Sequence, residues 1–106
     1  YPTHLKDMNL KVILTLKDRY NCLIGYSGHE TSVNIAPSTV LYGSCVIERH
    51  FTLDRTMKGP DHSASLEPPG LALLVQRSNS LHTALGSNEK KVLESEKANR
   101  LKFRGY

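Results

Sequence analysis

Tryptophan is absent from this 106-residue chain, and cysteine occurs only twice. Neither cysteine belongs to a CxxC pair or to a His/Cys cluster, which argues against a structural zinc site. Cys22 and Cys45 each lie inside a short apolar run, where a free cysteine behaves as a small hydrophobic residue. We therefore predict two buried thiols rather than a disulfide, as suits a reducing compartment.

Long apolar runs and basic blocks are also missing. No stretch approaches the roughly 20 apolar residues that a membrane-spanning helix needs, and no signal peptide is present, so we expect a cytoplasmic protein with no membrane partner. The net charge of +4 is diffuse. Its densest part, residues 96–106, holds one acid and four bases that are spread among other residues, and a charge this diffuse predicts no nucleic-acid partner.

The length of the chain is enough for one small folded domain. The apolar content of 39% and the charged content of 23% are ordinary for a globular protein. The chain starts at Tyr1 rather than at a methionine, and we expect it to be a piece of a longer protein.

Hydrophobic periodicity predicts alternating helices and strands. Residues 7–20 have helical spacing, and the apolar runs 21–27 and 45–51 have the length of buried strands. The segment between the two strands is helical in spacing but contains Pro37, which costs on the order of 3 kcal/mol inside a helix. A helix in this segment would therefore start late, near Ala36, or be damaged.

The second half of the chain begins with a polar loop, residues 52–69, rich in Gly, Pro, Asp and Ser. A helix over residues 68–85 follows, with proline near its first position and Gly86 at its C-cap. Residues 87–106 are charged and poorly periodic. The alternation predicts an α/β fold with parallel strands, although two strands cannot complete a parallel barrel of about 250 residues.

Two histidines occupy equivalent places in this pattern. His29 lies just past the first predicted strand, and His50 lies at the end of the second. Active sites of parallel α/β folds collect at the carboxyl ends of strands, and neighbouring strands lie about 4.8 Å apart. If these strands are neighbours, the imidazoles can converge on one metal ion, such as manganese, iron, cobalt or zinc. The alternative is two polar histidines that are hydrogen-bonded to loop backbone.

The loop after the second strand holds further polar side chains, as functional loops of parallel folds often do. His62 lies there beside Asp61 and could contact a substrate. Glu48 and Arg49 alternate along the second strand, so they are either an internal ion pair or a pair of which one member points into the site. His82 falls within the last helix, where we expect a solvent-exposed residue.

Four segments carry a resemblance to a known family: YP at residues 1–2, IGYSGHET at 24–31, VIERHFTLDRTMKGPDHSASLEPPGL at 46–71 and ALGS at 84–87. The chain resembles the sialic acid synthase family, the N-acetylneuraminate synthases, and Gly28 makes it more similar to the animal enzymes than to most bacterial ones. The family fold is a (β/α)8 TIM barrel followed by a small antifreeze-like domain. The resemblance implies that residues 1–86 are two to three βα units of the barrel and that residues 87–106 lead to the second domain.

Members of this family condense phosphoenolpyruvate with an open-chain N-acylmannosamine, such as N-acetylmannosamine, or with its 6-phosphate in the animal enzymes. The resemblance implies that His29 and His50 bind a divalent metal, usually manganese, which polarises the sugar aldehyde as a Lewis acid. It also implies that Ser27 lies near phosphoenolpyruvate and that Tyr1 and Asp61 contact the sugar. The family enzymes are homodimers.

Departures from the family leave a second hypothesis open. The lysines and much of the phosphate cradle come from earlier barrel strands, and an arginine comes from the antifreeze-like domain of a partner subunit; neither part is present here. Asn34 and Pro37 also interrupt what is an Ala-rich helix in relatives. The chain would then be a non-catalytic, truncated or decaying fragment. A third hypothesis is a small α/β module that binds a metal or ligand unrelated to sugars.

Overall fold

The computed structural model describes residues 1–105. It is an α/β structure, as predicted, in which short strands alternate with helices. In chain order, the elements are a 3₁₀ turn Leu5–Asp7, helix α1 Val12–Arg19, strand β1 Tyr26–Gly28, a 3₁₀ helix Ala36–Tyr42, strand β2 Ile47–Arg49, a 3₁₀ turn His62–Ala64, helix α2 Pro68–Leu85 and helix α3 Glu94–Arg104.

The two strands are hydrogen-bonded neighbours and run parallel. Their carboxyl ends therefore lie at the same edge of the sheet, which is the arrangement in which His29 and His50 can converge. The paired residues are Tyr26 with Ile47, Ser27 with Glu48 and Gly28 with Arg49.

A third extended segment lies next to the end of β2. Phe51 and Leu66 form a parallel bridge. The amide of Leu66 donates to the carbonyl of His50 at 2.7 Å, and the amide of Thr52 donates to the carbonyl of Leu66 at 2.9 Å. Three parallel segments therefore lie side by side in chain order, and the loop 52–65 returns to the edge where β2 ends.

One face of the sheet is covered by the 3₁₀ helix and α2. Ala36, Leu66 and Leu74 are buried there, and the side chains of Tyr26, Val33 and Ile47 pack against them. The cover is incomplete, because Leu71, Val75 and Leu85 of α2 remain 40%, 53% and 48% exposed. These three side chains line a groove of about 740 Å³ between α2, the 3₁₀ helix and β2.

We expect Leu74→Ala to lower the free energy of unfolding by about 2–5 kcal/mol, because it leaves a cavity in this small core. Leu74 is 5% exposed. Leu73→Ala is the matched control, since Leu73 lies on the same helix but is 38% exposed. This variant should lose clearly less free energy of unfolding. Urea denaturation followed by circular dichroism measures both values, and equal losses would show that Leu74 is not a core residue.

The helix predictions are most accurate where a proline or a glycine marks the end of a helix. Helix α2 begins at Pro68 as predicted, and Gly86 follows it with a φ of 55°. The 3₁₀ helix starts at Ala36 with Pro37 in its first turn, so the late start is confirmed, although the segment is not an α-helix. Helix α1 begins only at Val12, because Asn9 adopts a left-handed φ of 49° and separates it from the preceding turn.

The predicted burial of the two cysteines is wrong. Cys22 and Cys45 are both exposed, although both are free, as predicted. The strands begin later than the apolar runs, at Tyr26 and Ile47, so the cysteines fall in the connecting segments. The apolar runs mark where the strands are but not where they start.

The chain after Gly86 contains a helix that the sequence analysis missed. None of the residues of α3 is buried, so no apolar period reveals it. Its ends suit a helix dipole, with Glu94 and Glu96 in the first turn and Lys102 and Arg104 in the last. Within residues 1–105, no helix combines the length and the apolarity that crossing a bilayer requires.

Candidate active site

The uncovered face of the sheet is polar. Side chains alternate between the two faces of a strand, and Tyr26 and Ile47 point to the covered face. Ser27 and Glu48, which are paired across the strands, are both exposed on the other face. The Ser27 hydroxyl donates a hydrogen bond to Glu48 Oε1 at 2.9 Å, so Glu48 is part of this polar face rather than the ion-pair partner of Arg49.

The rings of His29 and His50 lie together where the two strands end. Their centroids are 5.0 Å apart, and their planes are at 87°. The ring of Tyr1 packs beside both, at 4.4 Å from His29 and 6.1 Å from His50. The amide of Thr3 donates to the carbonyl of His29 at 2.9 Å, and this bond holds the first residues of the chain alongside the end of β1.

Asp61 joins this cluster from the loop after β2. Its Oδ2 lies 3.7 Å from Nδ1 of His50, which is too long for a hydrogen bond, so the carboxylate lies beside this ring nitrogen without being bonded to it. The turn that carries Asp61 is closed by bonds from Ser65 Oγ and the Ala64 amide to the Asp61 carbonyl, at 2.6 and 3.2 Å. Asp61 therefore faces Nδ1 of His50, and Nε2 is the other ring nitrogen of that histidine.

The described ring contacts of the cluster do not include His62 or His82. Nδ1 of His62 contacts the hydroxyl of the buried Thr52 at 2.8 Å, so this ring is tied to the base of the loop. The possible contact of His62 with a substrate stays a prediction, with Nδ1 of the ring already bonded within the loop. His82 is exposed on α2, as predicted.

A buried ion pair lies on the other face of the strands, directly behind the histidines. Nη1 of Arg49 is 2.9 Å from Oε1 of Glu30, and both side chains are 1% exposed. The Tyr26 hydroxyl donates to the second carboxylate oxygen, Glu30 Oε2, at 2.8 Å. Sequence reasoning left an ion pair between Glu48 and Arg49 open, but alternation sends these adjacent side chains to opposite faces.

Burial raises the pKa of the Tyr26 phenol, and its hydrogen bond to Glu30 raises it further. Tyr26 is therefore a neutral donor throughout the physiological range. The Glu30 carboxylate thus accepts a hydrogen bond at one oxygen and pairs with a guanidinium at the other, which satisfies both oxygens away from water.

Gly28 makes room for this arrangement. A Cβ at this position would lie 2.5 Å from Glu30 Oε2, 2.6 Å from the Tyr26 ring and 2.9 Å from Cδ of Arg49. Such separations are shorter than van der Waals contact, so any side chain here displaces the ion pair or the tyrosine.

We expect Gly28→Ala to destabilise the chain by about 1–3 kcal/mol, the usual range for overpacking. Gly70→Ala is the matched control, because its added Cβ would meet only Leu66 at 3.5 Å or more and alanine favours a helix by about 1 kcal/mol over glycine. Thermal unfolding of both variants measures the difference. A Gly28→Ala protein as stable as Gly70→Ala would contradict the described packing.

The donor atoms of the cluster suit a divalent metal, but the protein supplies few of them. Two imidazoles with a nearby carboxylate match the preferences of ions such as manganese, iron or zinc. Within the part of the chain that the structure describes, no group of three or more His, Cys, Asp or Glu side chains is arranged to hold an ion. His29 and His50 therefore fit an open site, in which water and substrate oxygens would complete the coordination.

Residues 1–90 match the profile of the NeuB family. This chain belongs to the NeuB family. Its relatives include human N-acetylneuraminate-9-phosphate synthase, which is 48% identical over 99 residues, and N,N'-diacetyllegionaminic acid synthase of Campylobacter jejuni, which is 43% identical over 99 residues. The alignments cover 92% and 93% of this NeuB chain but only 28% and 30% of the two relatives.

A solved structure supports the same assignment. The N-acetylneuraminic acid synthetase of Leptospira borgpetersenii, crystallised in complex with citrate, superposes with a TM-score of 0.82 at 37% identity. All of this NeuB chain is covered, against 38% of that protein. The resemblance to sialic acid synthases that the sequence motifs indicated is thereby confirmed.

Proposed function

We propose that this chain is part of a sialic acid synthase that condenses phosphoenolpyruvate with N-acetylmannosamine, or with its 6-phosphate, and that uses a divalent metal, most simply manganese. The observation that carries the proposal is the meeting of Tyr1, His29, His50 and Asp61 at one edge of adjacent parallel strands. The relatives of the chain are synthases of acidic sugars. In this proposal the three parallel segments belong to a (β/α)8 barrel.

Each residue of the cluster would have its own role in binding the metal or the sugar. His29 and His50 hold the metal, which when bound supplies a Lewis acid for the sugar aldehyde. Asp61 is 53% exposed, so its carboxylate can accept hydrogen bonds from sugar hydroxyls beside the His50 ring. Tyr1 is 71% exposed and offers its ring and phenol to the same ligand.

Ser27 and Glu48 extend the site along the strands. Both lie on the polar face and are joined by their hydrogen bond of 2.9 Å. A hydroxyl that donates its proton to a carboxylate keeps both of its lone pairs available to accept hydrogen bonds. We assign Ser27 to the phosphoenolpyruvate side of the site, next to the metal-binding histidines. We also assign the parent enzyme to the cytoplasm, as a homodimer.

A non-catalytic fragment is the second candidate. The chain spans about 30% of the length of its curated relatives, and the groove beside α2 leaves apolar side chains uncovered. A chain of this kind would bind the metal at most weakly and would turn nothing over unless other barrel segments cover the open faces.

A chimera separates the two candidates. Residues 1–90 of this chain, which match the NeuB family, replace the corresponding segment of the human synthase, and phosphate release from phosphoenolpyruvate with N-acetylmannosamine 6-phosphate and Mn²⁺ is followed. We expect a folded chimera to be active and its His29→Ala variant to be inactive. A folded but inactive chimera would contradict the proposal, and turnover by the 106-residue chain alone would exclude the non-catalytic fragment.

A further inference from the structure

We propose that Tyr26, Glu30 and Arg49, the buried triad, form the positioning unit of the site: they set the distance and the angle at which the rings of His29 and His50 meet. The inference rests on the proposed function and deepens it, because it gives the two ligands a common support. The Glu30 and Arg49 side chains are 1% exposed and Tyr26 packs against the covered core, so we class the members of the triad as positioning residues.

Two members of the triad are direct sequence neighbours of the two histidines. Glu30 directly follows His29, and Arg49 directly precedes His50. Adjacent side chains of extended backbone point to opposite faces, so each histidine is backed by a triad member on the covered side. Any movement of the Glu30 or Arg49 backbone therefore moves an imidazole.

Arg49 fastens the three segments that make up the site. Its Nη1 donates to Glu30 Oε1 at 2.9 Å and to the Ser32 carbonyl at 3.0 Å. Its Nη2 donates to the Ala64 carbonyl at 3.3 Å and to the carbonyl of Glu30 itself. Ala64 belongs to the turn that carries Asp61. A planar guanidinium fixes all of these acceptors in one plane, as lysine could not.

Stability alone does not account for this choice of residues. Apolar side chains of similar volume replace buried ion pairs at little or no cost in many proteins. In this triad, Nε of Arg49 is buried with no hydrogen-bond partner among the described residues. The arrangement therefore carries the desolvation cost of an unpartnered N–H, but its directional hydrogen bonds are those expected of a group that orients neighbouring ligands.

The test compares the 106-residue chain with its Glu30→Leu/Arg49→Met variant, which removes both charges together and so leaves neither one unpaired. Cross-relaxation between the ring protons of His29, His50 and Tyr1, measured by NMR without metal, reports positioning. Electron paramagnetic resonance of free Mn²⁺ reports affinity. We expect the folded variant to lose the contacts between the histidine rings and to bind Mn²⁺ about 10–100-fold more weakly, as when outer-shell partners of metal ligands are removed.

Thr39→Val is the control, because Thr39 is fully buried and bonded to the Ala36 carbonyl, whereas the described hydrogen bonds of the triad do not include it. Ring contacts and affinity should not change. A folded double variant that keeps its ring contacts and its Mn²⁺ affinity within about two-fold would overturn the inference. If the wild-type chain shows the ring contacts but binds no Mn²⁺, their loss in the variant still supports positioning, while the metal role under the proposed function fails.

A second variant keeps the inference testable if the double variant does not fold. Tyr26→Phe removes only the hydroxyl that holds Glu30 Oε2 at 2.8 Å. We expect weaker ring contacts between His29 and His50 and a smaller loss of Mn²⁺ affinity, in the same direction. Unchanged ring contacts in a folded Tyr26→Phe protein would overturn the inference as well.

Discussion

Arg49→Met should lower the free energy of unfolding by about 3–5 kcal/mol, the range found when one partner of a buried pair is removed. The cause is the Glu30 carboxylate, whose side chain is 1% exposed and would be left without its counter-charge. Denaturant unfolding measures the loss. Adding Glu30→Leu to the same chain should recover most of it, because the unpaired charge disappears.

Lys97→Met is the control for this prediction. Lys97 pairs with Glu94 at 2.6 Å, but both side chains are largely exposed, at 60% and 86%. Pairs of this kind contribute about 0–1 kcal/mol. If Arg49→Met costs no more than Lys97→Met, or if the double variant is less stable than the single one, the described ion pair does not exist in solution.

His29→Ala and His50→Ala should each reduce Mn²⁺ affinity by more than the roughly 10–100-fold that loss of a supporting outer-shell group costs. The reason is that each ring would supply one of only two imidazole donors in an open site. Neither change should greatly alter folding, since both residues are partly exposed. Isothermal titration with Mn²⁺ measures the affinities, with circular dichroism as the check on folding.

His82→Ala provides the matched control, because it removes an exposed imidazole from α2, outside the cluster. Its Mn²⁺ affinity should equal that of the unchanged chain. If His82→Ala weakens binding as much as the two cluster variants do, the ion binds nonspecifically to surface imidazoles.

The parts of the fold that sequence predicted are those with local signals. Helix α2 begins at Pro68 and ends before Gly86, because proline and glycine act on the backbone of their own position. Helix α3 was missed because a helix with no buried residue has no apolar period. The late start of β1, which leaves Cys22 exposed, depends on pairing with β2 and not on the apolar run itself.

The candidate site was predictable to a similar extent. His29 and His50 could be placed at strand ends from the sequence, and their approach followed once the strands proved to be neighbours. The sugar-binding roles of Tyr1 and Asp61 were predicted only from the resemblance. A folded loop brings Asp61 to His50, and no local sequence pattern indicates this approach.

The pairing of Glu30 with Arg49 was not predictable. It spans 19 residues and depends on the strand register, which places Gly28 opposite Arg49. The role of Gly28 follows from the same register, since its missing side chain leaves the space that the pair occupies. The division of the chain into barrel units, residues 1–86, and a segment that leads to a second domain, residues 87–106, stays a prediction.

The decisive experiment is paramagnetic broadening of the histidine ring resonances when Mn²⁺ is added to the 106-residue chain below one equivalent. We expect His29 and His50 to broaden together and to the same degree, with Tyr1 next and His82 unaffected. If only one of the two rings broadens, or if neither does when Mn²⁺ equals the chain concentration, the two imidazoles do not share one ion.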